Sequence, residues 1–403
     1  MKRTRATSTN TIKGPGFKFA GVACGIKKSK KKDLALIFCE RPATAAALFT
    51  TNRVKAAPVL VGMRRMRRGI AQAVVVNSGN ANACTGARGL RDAEATCRQV
   101  GARLGIDPGL VIPCSTGIIG VPMPMEKVRS GIERAAASLS ADSFSHAAEA
   151  ILTTDRFIKV ASATCSLKGK KVVLAGMVKG AGMIAPNMAT MLAYILTNAA
   201  VEHRSLRSIL RRSAEESFNR VTVDGDVSTN DTVLFLANGL AGNSPVRRAS
   251  REERVLVRAA QELMKELAIK LVEDGEGATK VVEVFVEGAR TVAEAKKVAF
   301  SVGNSKLVKT AFFGSDPNFG RIMAAIGYAG VPIRPERIDI AFDNVTVVKS
   351  GVGMASREKK AARVLRHPSL RLKIDLHQGR RSAAVWTSDL SYEYVRINSA
   401  YRT

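Results

Sequence analysis

The 403-residue chain is short of aromatic residues and of acid. Phe, Trp and Tyr make up 5% of it, with a single Trp. Proteins that hold single-stranded nucleic acid stack bases on aromatic side chains, and few are here for such a platform. Asp and Glu number 34 against 63 Lys and Arg, a formal net charge of +29. An excess of that size marks a nucleic-acid binder when it is gathered on one face. Here the basic residues are spread along the sequence, which suits a solvated surface that steers anionic small molecules. Neither nucleic acid nor membrane is expected as a partner. No run of 18 apolar residues exists to cross a bilayer, and no apolar core of secretory length appears.

Metal ligands are also wanting. The cysteines are Cys24, Cys39, Cys84, Cys97, Cys114 and Cys165, none in a C-x-x-C pair, and His146, His203, His367 and His377 are scattered. No zinc spacing results, and reduced thiols are the simplest expectation. No acidic residue precedes Asp33, and the basic, hydroxyl-rich stretch before it has the composition of an organellar transit peptide.

What remains is an ordinary globular composition, 46% hydrophobic and 24% charged, long enough for two or three structural domains with a large core. Strands are expected over Leu34–Phe38, Ala73–Asn77, Lys171–Val178, Thr232–Asn238, Lys280–Glu287 and Ile338–Val348. Ser250 with Glu253 and Thr291 with Glu294 are capping-box signatures. After the first, Val255, Ala259, Leu263, Leu267 and Leu271 recur at every fourth residue, as one face of a helix does. Val201–Phe218 and Ala141–Leu152 are further helix candidates. The mixture, without a strict βαβ alternation, predicts an α+β layered fold. The basic clusters Lys27–Lys32 and Met63–Arg68 could bind phosphates, although a solvated loop or helix face is the usual explanation.

The most unusual segment is Val172–Leu192, VVLAGMVKGAGMIAPNMATML. Its G-x-G-x-x-A spacing suggests a dinucleotide loop, but Pro186 falls where the phosphate-binding helix would build. A second chemistry is open to it. Thr190 follows the small Ala189 in a Gly/Pro/Asn-rich turn. A threonine hydroxyl needs a base. If the chain is cut before Thr190, the new α-amine is that base, with an ordinary pKa near 8. From chemistry alone this is only permissible, and a structural threonine after a turn is commoner.

Seven motifs, in order, resolve the ambiguity. They are VVNSGNANACTG at Val75–Gly86, PCSTGIIG at Pro113–Gly120, KGAGMIAPNMATML at Lys179–Leu192 and SFNRVTVDGDVSTNDTV at Ser217–Val233. DGEGATK at Asp274–Lys280, LVKTAFFGSDPNFGRIMAAIGYAG at Leu307–Gly330 and INSAYRT at the end complete the set. Together they resemble the ornithine acetyltransferase (glutamate N-acetyltransferase) family from about Gly16 to Thr403. The resemblance implies an N-terminal-nucleophile-hydrolase-like sandwich, with two sheets between helix layers and a smaller C-terminal α/β domain. It implies self-cleavage after Ala189 into chains 1–189 and 190–403. The catalytic sandwich would span about 13–279, and the C-terminal domain 280–403 would return its tail to the active site. The two chains would stay associated, as two copies of each.

By the same resemblance Thr190 is the nucleophile, and Thr116 and Gly117 form the oxyanion hole. Thr154, Lys179, Thr190, Glu276, Asn398 and Thr403 contact substrate. Lys179 suits a carboxylate and Glu276 an ammonium. The implied reaction is acetyl transfer from N-acetylornithine to glutamate in cytoplasmic arginine synthesis, through acetyl-Thr190. It needs no metal or cofactor, and acetyl-CoA is left open as a further substrate. A self-processing amidase or aminopeptidase is the alternative. The chain departs from the family pattern at Arg156-Phe157-Ile158-Lys159, at Ser315 and Phe319 around Asp-Pro-Asn, and at Gln378-Gly379-Arg380-Arg381.

Overall fold

The apolar stretches of the sequence assemble into two sheets. The computed structural model describes residues 14–185 and 191–400. The first half alternates strands and helices: β1 (Lys18–Val22), β2 (Leu34–Phe49), α1 (Ala57–Arg65), β3 (Ile70–Asn80), α2 (Gly86–Leu104), β4 (Val111–Ile118), α3 (Met125–Ala137) and α4 (Phe144–Ala150). Then come β5 (Lys159–Leu167), β6 (Lys170–Lys179), β7 (Leu192–Thr197), α5 (His203–Glu215), β8 (Val221–Thr222), β9 (Thr232–Ala237) and α6 (Arg251–Glu273). The last part holds β10 (Val281–Ala289), α7 (Val292–Asn304), α8 (Lys306–Gly314), α9 (Phe319–Gly327), β11 (Asp339–Phe342), β12 (Val345–Lys349) and β13 (Val352–Gly353). It closes with α10 (Glu358–Leu365), β14 (Ser369–Asp375), β15 (Arg381–Ser388) and α11 (Tyr392–Ala400).

The first sheet runs β4-β3-β2-β9-β7-β6-β5, with β1 added to β2. Its centre is buried on both faces. All six residues of β7, LAYILT, are buried. Ala193 and Ile195 face α5 and α6, while Leu192, Tyr194 and Leu196 face Phe19 and Phe144 on the other side. Side chains alternate across a strand, so only a continuous apolar run can fill both layers. The second sheet runs β13-β12-β11-β14-β10-β15-β8, with α7, α8 and α9 packed into its core. The expected α+β layering is thus what the chain adopts. It differs from a two-sheet sandwich over 13–279 with a separate C-terminal domain: residues 14–279 supply one sheet, the second is built by β10–β15 joined by β8, and α6 lies against both. Leu263 and Leu267 fill the space over Gly176 of β6, where a Cβ would meet them at 2.9 and 2.8 Å. Lys265 sits 4.8 Å over the ring of Trp386 on β15.

The capping boxes set the helix starts. Ser250 Oγ accepts from Glu253 N at 3.0 Å to open α6, and Thr291 Oγ1 accepts from Glu294 N at 3.1 Å to open α7. Two strand expectations need correction. Ile338–Val348 is a hairpin, β11 and β12, turned at Asp343 with φ +48°. Also, β2 continues well past Phe38. Its register breaks between Phe38 and Ala43, where Pro42 offers no N–H to the ladder, and pairing then resumes.

Candidate active site

The sheet ends that point away from the hairpin turns bring together residues from six stretches of sequence. A cavity of about 140 Å³ is lined by Thr116, Gly117, Thr154, Lys179, Glu276 and Asn398, together with Thr153, Asp224, Asp226, Ser228, Asn230 and Tyr394 among others. Thr190 and Thr403 lie outside the described residues. Their described neighbours are placed: Met191 and Leu192 lead β7, and Leu192 pairs with Lys179 at the end of β6.

Thr116 and Gly117 end β4 beside β3, with Gly79 opposite Gly117. Gly117 has φ +133°, and a Cβ there would come within 2.3 Å of the Gly79 carbonyl carbon. Only glycine fits this close approach of two strands. Lys179 Nζ donates to Thr116 Oγ1 at 3.1 Å. Thr116 therefore receives a charge-assisted bond on its oxygen and keeps its own proton for an acceptor in the cavity. Lys179 is 4% exposed. Burial lowers its pKa, and the Asp155 carboxylate works against that loss.

Beneath the cavity lies a buried ionic cluster that sequence reasoning did not single out. Lys159, at the start of β5, pairs with Asp155 at 2.6 Å and also with Asp274, all three side chains fully buried. Asp155 also accepts from Gly180 N at 2.7 Å and Thr153 N at 2.8 Å, so one carboxylate fixes both the loop carrying Thr154 and the chain just after Lys179. Burial alone would raise the Asp155 pKa. The charges of Lys159 and Lys179 outweigh it and hold the group below the usual carboxylate range. Asp274 accepts from the backbone N and Nε of Arg156, each at 3.1 Å. The departure at Arg156–Lys159 is therefore built into this cluster.

The acidic side of the cavity is equally tied. Glu276, 8% exposed, accepts from Asn398 Nδ2 at 2.8 Å, which brings α11 over the site. Gly182 is needed beneath it, because a Cβ there would meet the Glu276 carboxylate at 2.5 Å. Asp224 accepts from Met183 N at 2.7 Å, Ile184 N at 2.9 Å and Tyr394 Oη at 3.3 Å. Burial pushes Asp224 up to about 6. It pins the chain entering residues 186–190, a role legible only once the DGD of Asp224–Asp226 is placed in space. Among the described residues no group of three His, Cys, Asp or Glu could hold a metal, and no helix is long and apolar enough to cross a membrane.

The cavity thus gathers a hydroxyl and a glycine N–H at a strand end, a buried lysine beside them and a carboxylate opposite, groups of the kind that can stabilise an oxyanion and hold a charged ligand. Comparison with known proteins agrees. The ArgJ family matches residues 18–403. The Arginine biosynthesis bifunctional protein ArgJ of Geobacter sulfurreducens is 50% identical over 389 residues, covering 96% of this chain and 99% of the relative. A crystal structure of the bifunctional protein argJ from Bacillus halodurans is similar over 51% of this chain and 96% of that one, at 40% identity and a TM-score of 0.49. An ornithine acetyltransferase from Mycobacterium tuberculosis, solved with ornithine, is similar over 43% and 93%, at 38% identity and a TM-score of 0.38. The chain belongs to the ArgJ family.

Proposed function

We propose that the chain cuts itself after Ala189 and moves acetyl from N-acetylornithine to glutamate through Thr190. The enzyme is an acyltransferase of arginine biosynthesis. The observation that carries the finer reading is the cavity itself, with Thr116–Gly117, Lys179 and Glu276 gathered beside Leu192 and Met191, the residues that follow Thr190.

In this reading the α-amine of Thr190 takes the hydroxyl proton, and Oγ1 attacks the acetyl carbonyl. The negative oxygen of the tetrahedral centre meets the Thr116 hydroxyl and the Gly117 N–H. The C–N amide bond breaks, the proton passes to the leaving amine, and ornithine departs. The glutamate amine then attacks acetyl-Thr190 and restores the hydroxyl. Lys179 faces the substrate carboxylate while polarising Thr116, and Glu276 exchanges Asn398 for a substrate ammonium. Thr154 and Thr403 close on the amino-acid portion. No metal or cofactor takes part. The word bifunctional in the relatives' names supports a second acetyl source such as acetyl-CoA. Two copies of each fragment in the cytoplasm complete the proposal.

The test is mass spectrometry of the purified protein. Two fragments are expected, the second beginning Thr190-Met191, and it gains one acetyl mass with N-acetylornithine alone and loses it to glutamate. Thr190→Ala leaves one uncut, inactive chain. An active Thr190→Ala variant would overturn the scheme, and rapid loss of acetyl to water without glutamate would favour an amidase.

A further inference from the structure

Residues 181–184, a few positions before Ala189, are held by two acidic residues, and both of these are bonded to one helix, α11. Glu276 grips the first half of the stretch. Its N–H donates to the Ala181 carbonyl at 2.9 Å, and its carboxylate lies against Gly182. Asp224 grips the second half. One of its oxygens accepts from Met183 N at 2.7 Å and the other from Ile184 N at 2.9 Å. Val223 adds its own N–H to the Ile184 carbonyl at 2.7 Å. Met183 has φ +52°, a left-handed backbone that a residue with a side chain keeps only when its surroundings hold it there.

Tyr394 and Asn398 stand one turn apart on α11 and so share a face. Asn398 Nδ2 donates to Glu276 Oε2 at 2.8 Å. Tyr394 Oη donates at 3.3 Å to Asp224 Oδ2, the same oxygen that takes the Met183 N–H. The helix has little else to hold it. None of its residues is buried, and Tyr392 and Val395 are 85% and 64% exposed. Its start is fixed where Ser391 Oγ donates to the Gly277 carbonyl at 2.6 Å and where the rings of Tyr392 and Phe313 meet edge to face at 5.6 Å. A helix without a buried apolar face takes its position from the polar side chains it carries. Docking of α11 and the orientation of the two carboxylates on residues 181–184 are thus one arrangement. The acetyl exchange gives Asp224 and Tyr394 no bond to make or break, yet their contacts run to the stretch that leads into the proposed cut.

We propose that Asp224 and Tyr394 are positioning residues of the self-cleavage, so that the chain is cut efficiently only when α11 has docked on Asp224. The inference rests on the proposed cut before Thr190. In that cut the Thr190 hydroxyl oxygen bonds the Ala189 carbonyl carbon, the peptide C–N bond breaks, and the hydroxyl proton goes to the released amine. Water then splits the ester, leaving the Ala189 carboxylate and the free hydroxyl. Attack of a side chain on its own backbone succeeds from a narrow range of geometries. Fixing Met183 and Ile184 restricts the conformations open to the chain that follows, and Asp224 acts through that backbone rather than on the reacting atoms.

The test follows cutting in time. Full-length chains are made by cell-free translation, and the fraction cut is read by mass spectrometry. Asp224→Asn places an amide NH2 where one of two backbone N–H donors needs an acceptor, and it is expected to slow cutting about tenfold or more. Asp224→Glu keeps two acceptor oxygens and should restore much of the rate. Tyr394→Phe removes only a hydroxyl and should slow cutting about threefold. Added to Asp224→Asn it should cost nothing further, because its partner is already changed. Cutting at the wild-type rate in Asp224→Asn overturns the proposal. So do equal losses in the Asn and Glu variants, or losses that multiply in the double variant, since either would mean general damage to the fold. Should Asp224→Asn not fold, Tyr394→Phe still decides, an unchanged rate overturning the proposal. Wild-type chains that stay whole would instead sink the cut itself, whereas wild-type cutting with unaffected variants sinks the positioning role alone.

Discussion

Lys159 and Lys309 are both buried lysines, and the fold treats them in opposite ways. Lys159, under the first sheet's cavity, is paired with two carboxylates. Lys309, on α8 behind the second sheet, bonds only neutral oxygens: Thr387 Oγ1 at 3.0 Å, Ser388 Oγ at 3.2 Å and the Ser388 carbonyl. Burial pushes Lys309 down to about 7 against the weaker pull of Asp389 and Asp224. A buried cation with a partner at contact becomes a fixed strut. One without becomes a group whose charge depends on pH.

The largest effect that could break this contrast is Lys159→Met. It removes the lysine that Asp155 and Asp274 share, leaving Arg156 as the remaining ion pair of Asp274, and about 3–5 kcal/mol of stability is expected to go, measured by urea unfolding. A loss under about 1 kcal/mol would mean that the cluster is no strut. A second contrast concerns two threonines, each the acceptor of a buried lysine: Thr116 for Lys179 and Thr387 for Lys309. Thr116→Ala is expected to slow acetyl transfer about a hundredfold while N-acetylornithine still binds, the loss that removing the proposed oxyanion donor implies. Thr387→Ala should leave turnover unchanged. Equal effects on turnover would erase the distinction between the regions.

A third contrast separates the two by pH. The folded Asp155 holds its proton less tightly than the unfolded chain does. Its stabilisation is therefore complete above the unfolded pKa of about 4 and lost as pH falls through the folded value. Lys309 behaves differently. Between about 7 and 10.5 the folded protein keeps it neutral while the unfolded chain protonates it, so stability climbs with pH across that window. Below about 7 both states are charged and the slope disappears. Chemical denaturation against pH should show Asp155→Asn flattening only the acid limb and Lys309→Met only the alkaline one.

These contrasts also mark what the sequence could disclose. Strands with continuous apolar runs, such as β3, β6 and β9, were legible because both faces are buried. The far half of β2 was hidden by Glu40-Arg41-Pro42, three exposed residues at its register break. The hairpin at Asp343 was merged because both its arms are apolar. The cavity residues were legible only through resemblance, since six separate stretches meet there and no spacing along the chain encodes that. Lys179 and Glu276 look on composition like surface charges, and both are buried. The Asp155–Lys159–Asp274 cluster left only a faint signal, a lysine opening the strand KVASATCSL. Its acidic partner 115 positions later becomes visible only in the fold.

The strand order β2-β9-β7-β6 carries one more implication. Should the chain part after Ala189, the two middle strands belong to the second fragment and those flanking them to the first. Neither fragment then owns the first sheet whole, and separating them would expose both sides of β7 and β9. Breakage would leave the native molecule intact yet change how it is regained once lost. Refolding of the nicked enzyme becomes a meeting of two molecules, with a yield and a melting temperature that rise with concentration, whereas uncut Thr190→Ala refolds alone. Maturation would thus be an irreversible commitment, converting a self-sufficient polypeptide into one that, once unfolded, depends on finding its other half.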